Sequence, residues 1–412
     1  MSLADEFVLQ QLGRLHSDRF GLADFVRIDR SIEGIPRRWM SAIVKQSDPK
    51  APGRISGAGC HRQKPRSMLA ALGEFIERYS ASRRPRNELV ITARSWLQMK
   101  EAGHSIPDLR FFNWFEDRQF EEPGFQLERF DRDQLIDWCA GVSLLNSEEV
   151  WLPSEWVRYG EKTQYWFGNS NGLAAHTDMK LATQNALLEV LERDVIMFSW
   201  WRNQKGIAVP LDWIEAPALR ADLEMFADSH ARVEFQILEN PWGVFVVLAT
   251  MTNAEKPSFL MGVGCAWGFD EACERALNEL IQGLTYQRHQ PGPALKLPPA
   301  KWFELKTFDE HVALHATPQP FLTNVFRTPQ TRHPLVDLNP GSLVRTISRL
   351  EEGGLNPICF DRTSVDAKAL GFSVVRVVVP GLLPLNSQHI YRPWGHVRLQ
   401  AGVFNPVPHP MP

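Results

Sequence analysis

The spacing of hydrophobic positions along the chain changes between two periods. Short, valine-rich apolar runs at residues 244–250, 259–263 and 374–379 read as buried β-strands, because they are brief and rich in β-branched residues. Longer stretches with apolar residues three and four apart predict helices over 67–82, 179–201, 270–287 and 340–352. Residues 85–165 mix aromatic and charged side chains without a steady period and read as irregular α+β structure. The Pro/Gly-rich run 289–300 reads as an internal connection. The expected fold class is α+β with mixed sheets, and no repeat of solenoid length is visible.

A longer-range echo is visible within this pattern. Ala71-Leu72-Gly73-Glu74-Phe75-Ile76-Glu77-Arg78 matches Ala186-Leu187-Leu188-Glu189-Val190-Leu191-Glu192-Arg193. A third helix carries Arg275-Ala276-Leu277-Asn278-Glu279-Leu280-Ile281-Gln282. Each follows a turn of small residues, and 15, 17 and 15 positions separate Gly59 from Glu74, Gly172 from Glu189 and Gly264 from Glu279.

Glu74 and Glu77 are three apart and share a helix face, as do Glu189 and Glu192. An isolated ExxER is normally a solvated ion pair. These helices are apolar nearly all round, which predicts burial, and buried carboxylates require cations. Five glutamates against three arginines (Arg78, Arg193 and Arg275) leave a deficit that a hard divalent ion would fill. Oxygen ligands without His or Cys favour Mg²⁺, and Mg²⁺ held this way usually accompanies a phosphate chain. No GxxxxGK[ST], HRD or DFG run is present, so a nucleotide site here is unconventional. Gly168-Asn169-Ser170-Asn171-Gly172 satisfies GxSxG, but the predicted helix starts too late for a nucleophile elbow.

Composition narrows the classes. The chain has 412 residues, 44% hydrophobic and 23% charged, an ordinary globular balance with room for two or three domains or one intertwined one. Lys+Arg 45 against Asp+Glu 48 gives a net charge of -3, which disfavours a nucleic-acid binder. Five scattered cysteines form no CxxC pair, so a reducing, cytoplasmic setting is expected. The start shows no signal-peptide pattern, and the longest apolar runs are too short to span a bilayer, so no membrane role is expected.

The three glutamate segments, together with the run CFDRTSVDAKALGFSVVRVVVPGLLP, resemble the YcaO family in order and spacing over roughly residues 50–400. The resemblance implies a YcaO-like fold whose three acidic helices converge on a nucleotide and Mg²⁺ pocket. It implies ATP and Mg²⁺ as cofactors, with Glu74, Glu77, Glu189, Glu192 and Glu279 on the metal. Asn185, Arg193, Arg275, Gln282 and Arg78 would contact the nucleotide. Two positions depart from the family pattern: Ala70, where a serine is usual, and Ala58, where a lysine is common. Each removes a possible nucleotide contact.

The last residues, Asn405-Pro406-Val407-Pro408-His409-Pro410-Met411-Pro412, contain PxPxP. A proline-rich end is ordinarily a solvated tail. In this family it resembles the mark of azoline-forming cyclodehydratases, whose tail (401–412) enters the active site and whose last residue, Pro412, would act as catalytic base. Residues 1–49 would be an N-terminal segment available to a partner. The implied reaction converts Cys, Ser or Thr of a precursor peptide to thiazoline or oxazoline at the expense of ATP. The implied partners are a separate leader-peptide-binding protein resembling ubiquitin-activating enzymes and a flavin-dependent azoline dehydrogenase, in an oligomeric complex. Two alternatives stay open: thioamide or amidine formation, and a non-catalytic YcaO scaffold.

Overall fold

Three antiparallel sheets and the helices between them make up the fold. The computed structural model describes residues 3–16, 21–46, 48, 54–161, 163–227, 232–289, 292, 294–319, 322–331, 336–399 and 404–411. After helix α1 (Leu3–Leu15) the first sheet is a meander of β1 (Phe25–Arg30), β2 (Trp39–Lys45) and β3 (Ile55–His61), covered by α2 (Lys64–Ala81). β2 pairs with β3 from Trp39 opposite His61 to Lys45 opposite Ile55, so residues on both sides of position 50 share one sheet.

The second sheet begins with β4 (Val90–Arg94), followed by α3 (Trp96–Glu101), β5 (Ile136–Ser143), β6 (Glu149–Pro153), α4 (Ser154–Val157) and β7 (Leu173–His176). The long helix α5 (Met179–Trp201) then crosses to the third sheet. That sheet runs β8 (Ile207–Ala208), α6 (Pro217–Ala227), β9 (Arg232–Leu238), β10 (Phe245–Thr252), β11 (Phe259–Ala266), and is backed by α7 (Phe269–His289). After α8 (Phe308–Ala316) and α9 (Leu343–Glu352), the chain returns to the second sheet as β12 (Ile358–Asp361), α10 (Val365–Ala369) and β13 (Ser373–Val378).

The predicted strands and helices fall on β10, β11, β13, α2, α5, α7 and α9, with the bounds of α5 as expected. The apolar run in β10 is explained by two-sided burial. Val246 and Leu248 enter the largest core, while Val247 and Ala249 face the core under α7. α5 starts where the Asp178 side chain accepts from the Lys180 amide at 2.7 Å, and it is buried on most faces. β1 and β2 were not anticipated, because Val26, Arg27, Ile28, Asp29 and Arg30 alternate on a half-exposed edge strand with little apolar signal.

The first and third sheets end alike: three antiparallel strands lead into an acidic helix laid across the last strand. Two glycines make each contact possible. A Cβ on Gly57 or Gly59 would sit 2.2 Å from the Ala71 carbonyl or 2.1 Å from that of Ser67. On Gly262 or Gly264 it would sit 2.3 Å from the Ala276 carbonyl or 2.1 Å from that of Ala272. The opposing atoms are helix backbone, which cannot step aside. Gly264→Ala should therefore lower stability by about 1–3 kcal/mol or more, measured as the urea midpoint. Gly13→Ala, where nothing lies within 4 Å of a new Cβ, should not.

Candidate active site

The glycine contacts press strand amides against helix side chains. The Ala58 N–H donates to Glu74 Oε2 at 2.6 Å, and the Val263 N–H to Glu279 Oε2 at 2.6 Å. The Gly172 N–H, in a left-handed turn just before β7, donates to Glu189 Oε2 at 3.2 Å. The small-residue runs expected as turns at 56–59 and 262–264 lie in strands β3 and β11, and only Gly172 is in a turn. The near-equal spacing still has one physical cause: the preceding strand or turn supplies the amide that holds a glutamate about three helical turns into the next helix.

Cations are interleaved among these carboxylates. Arg78 pairs with Glu74 at 2.5 Å and donates to the Ser56 carbonyl at 2.9 Å. Arg193 lies 3.7 Å from Glu189 and 3.8 Å from Glu192, too far for direct hydrogen bonds. Burial drives the Glu77 carboxyl well above its ordinary range, reinforced by the charges of Glu189 and Glu74. Glu189 is pushed up to about 7 by burial, against the pull of Arg193. Glu279 is pushed up to about 7 by burial and by the charge of Glu192. Burial also raises Glu192, opposed by Arg193 and Arg275. These carboxylates lie deep in the fold, yet Glu189 keeps 27% of its side-chain surface accessible. Glu74 and Glu279 face a cavity, whereas Glu77, Glu189 and Glu192 do not line it.

That cavity has a volume of about 640 Å³ and lies between the first sheet, α7 and α8. Glu74, Arg78, Glu279 and Gln282 line it, together with Ala58, Arg27, Arg54 and Tyr286. Its size suits a nucleotide-sized ligand. Arg275 pairs with Glu271 at 2.7 Å on the more exposed side of α7. Asn185 is half-buried one turn before Glu189. Among the described residues no three His, Cys, Asp or Glu side chains are gathered closely enough to hold a metal unaided. The donor set nonetheless fits Mg²⁺, which takes one or two carboxylates and completes its shell with water and phosphate oxygens. Burial is the main cause of the raised carboxyls, and a bound hard cation would favour their charged form.

Sequence and structure comparisons point the same way. The profile of the family described as YcaO cyclodehydratase, ATP- and Mg²⁺-binding, matches residues 58–383. The chain belongs to the YcaO family. It is 26% identical over 376 residues to an uncharacterised protein of Methanothermobacter thermautotrophicus, covering 88% of each chain. Its fold is similar to that of a heterocyclase solved with substrate and cofactor: TM-score 0.73, 19% identity, all of this chain but 57% of that one. It is likewise similar to YcaO from Methanopyrus kandleri bound with AMPPCP and Mg²⁺ (TM-score 0.64, 21% identity, 92% and 91% coverage). The E. coli microcin synthetase McbBCD complex with pro-MccB17 bound is another neighbour (TM-score 0.60, 13% identity, 95% and 99% coverage).

The described tail residues of this YcaO chain, 404–411, are packed against the fold and not frayed. Pro412 lies outside the described residues, but Met411 and Val407 are buried, and Pro410 lines the same cavity as Glu74 and Glu279. Histidines seat the segment: His311 Nδ1 donates to the His409 carbonyl at 2.9 Å, and His315 Nε2 to that of Pro408 at 2.7 Å. His389 Nε2 donates to the Pro406 carbonyl at 3.1 Å, and Trp200 Nε1 to that of Val407 at 2.8 Å. Sequence reading passed over these histidines, because nothing in their spacing marks them. It also passed over Arg376, although a lone arginine inside a valine run was a usable signal. Ser170 sits in a turn that enters strand β7 and no helix, so the GxSxG run is not a nucleophile elbow.

Burial holds His311 down to about 4 and His315 to about 3, and keeps His409 and His389 well below the ordinary histidine range. An unfolded histidine takes its proton near pH 6.5, whereas these resist it. Between those values the unfolded chain binds more protons, so stability present above pH 6.5 is lost as pH falls. Urea unfolding should show a loss on the order of 1 kcal/mol or more per seated histidine between pH 7 and pH 5. His311→Asn, which retains a donor at the Nδ1 position, should flatten that slope.

Proposed function

We propose that this chain is an ATP-dependent cyclodehydratase that converts Cys, Ser or Thr of a ribosomally made precursor peptide to thiazoline or oxazoline. The observation that carries the reading is the cavity where Glu74 and Glu279, fixed by strand amides, meet Pro410 of the tail. In the proposed reaction the substrate side chain adds to the preceding backbone carbonyl, and the resulting oxygen takes the γ-phosphoryl group of ATP. Phosphate then leaves with that oxygen. The peptide loses the elements of one water, and ATP becomes ADP.

The chain's own residues have distinct tasks. Glu74, Glu77, Glu189, Glu192 and Glu279 would hold Mg²⁺, which when bound neutralises charge on the transferring phosphoryl group. Arg78 and Gln282 face the nucleotide, while Arg193, Arg275 and Asn185 complete its surroundings from α5 and α7. Prolines in the tail restrict its backbone and lower the entropy lost in holding it. The tail would carry the Pro412 carboxylate to the reacting amide as general base. The similarity to McbBCD supports a peptide substrate and partner proteins, here a leader-peptide-binding partner and a flavin-dependent azoline dehydrogenase. Five unpaired cysteines agree with a cytoplasmic setting.

Glu189→Gln keeps side-chain size and removes a charge that burial disfavours. The variant should remain folded by circular dichroism yet consume no ATP in the presence of Mg²⁺. Normal Mg²⁺-dependent turnover would refute the metal assignment. Removing Met411 and Pro412 should reduce dehydration of a Cys-containing peptide by about 100-fold, because positioning errors near 1 Å cost that much. Calorimetry should show ATP binding nearly unchanged.

A further inference from the structure

Three imidazoles in the seat of the tail have no room for a second proton. His311 Nδ1, His389 Nε2 and His409 Nε2 each spend the single hydrogen of a neutral ring on a carbonyl, those of His409, Pro406 and Asn386. The opposite nitrogens, His311 Nε2, His389 Nδ1 and His409 Nδ1, are buried with no hydrogen-bond partner among the described residues. His315 is bonded on both sides: Nε2 donates to the Pro408 carbonyl, and Nδ1 accepts from Asn324 Nδ2 at 3.2 Å. The rings crowd one another. His311 stacks on His409 with centroids 4.2 Å apart and lies 6.2 Å from His389.

A proton added here meets no acceptor. On His311, His389 or His409 it creates a buried N–H without a partner, and on His315 it faces the Asn324 amide donor. A second cation would repel the first across the stacked rings. The surroundings do not remedy this. Glu310 and the Ser387 carbonyl favour a charged His311, but burial outweighs both. Arg327 adds like charge at His315, and Arg392, paired with Glu122 at 2.5 Å, adds it at His389. His409 faces only the other three imidazoles among charged or titratable groups. One segment closes the cluster: three of the four bonded carbonyls, and the His409 ring itself, belong to residues 404–411. Lifting that segment opens the rings to water, where an imidazole takes its proton freely.

We propose that the histidine seat is a proton-operated latch: in mildly acidic solution residues 404–411 leave the glutamate-lined cavity while the three sheets stay folded. The latch stands on the geometry of the seat. Its consequence, that acid switches off cyclisation, rests on the cyclodehydratase reading above. The sign follows from linkage. The released state binds more protons, so each relieved imidazole favours release by up to about tenfold per pH unit below about pH 6.5. Several coupled imidazoles make the transition steep.

Hydrogen exchange of the full chain, read by mass spectrometry and corrected for the intrinsic rate at each pH, tests the latch without a variant. The reporter is the Asn405 amide, which donates to the Trp201 carbonyl at 2.9 Å. Segment 404–411 should lose its protection between about pH 6.5 and about pH 5, while β10 and β11 stay protected and circular dichroism is unchanged. His409→Gln, whose amide replaces the Nε2 donor without titrating, should move release to lower pH. The ratio of variant to wild-type cyclisation rate should then rise as pH falls over the same range. Protonation of the raised glutamates slows both proteins alike and cancels in that ratio. Protection of 404–411 that survives to about pH 5, or that vanishes there and in β10 and β11 at one pH, would overturn the latch. So would an unchanged release midpoint in His409→Gln. If the segment releases as expected but no peptide is cyclised at any pH, the cyclodehydratase reading falls and the latch stands.

Discussion

The close approach of a strand to the helix that follows it is the constraint on which the glutamate-lined cavity depends. At Gly59 against Ser67, and again at Gly264 against Ala272, backbone meets backbone with no room for a side chain. This contact lets a strand amide reach past the helix backbone and hold a glutamate. Any residue larger than glycine would lift the helix and break the amide–carboxylate bonds at Glu74 and Glu279. The two βββα units therefore each bring a glutamate, Glu74 and Glu279, to one cavity, while Glu189 on α5 is held by the Gly172 amide.

Charge is distributed unevenly around that arrangement. The glutamates crowd until burial raises their carboxyls, while Arg193 sits among them without reaching hydrogen-bonding distance. Such a centre is unstable as a core and suited to a polar ligand. Polarity elsewhere in the interior is satisfied differently. Asp194 is fully buried yet accepts from Trp242 Nε1 at 2.9 Å and the Leu383 amide at 2.9 Å, with Arg398 at 3.2 Å.

The tail over residues 404–411 is held by partners from elsewhere in the fold. Its prolines lack amide donors, so its carbonyls need outside partners, and His311, His315, His389 and Trp200 provide them. Imidazoles can donate there only while neutral at the other nitrogen or held charged at great cost. Burial keeps them neutral, tying the seat of the tail to the packing of α8 and α5.

Several features were legible in the sequence because they depend on local pattern. Valine runs gave β10, β11 and β13, and the apolar period gave α5 from Met179 to Trp201. The repeated glycine-to-glutamate spacing marked Glu74, Glu189 and Glu279 because a strand–helix contact is short in sequence. The edge strand β1 left only a faint trace, Val26 and Ile28, since a half-exposed strand needs little apolar surface. Nor could spacing reveal that His311 meets His409 or that Arg376 and Arg193 line one cavity, because those residues come together only across the folded chain. The sequence by itself marked Glu74, Glu189 and Glu279 and the glycine-rich segments that hold them. The tertiary structure alone decided what surrounds them, because burial, cavity shape and pairing between distant segments depend on how the three sheets pack.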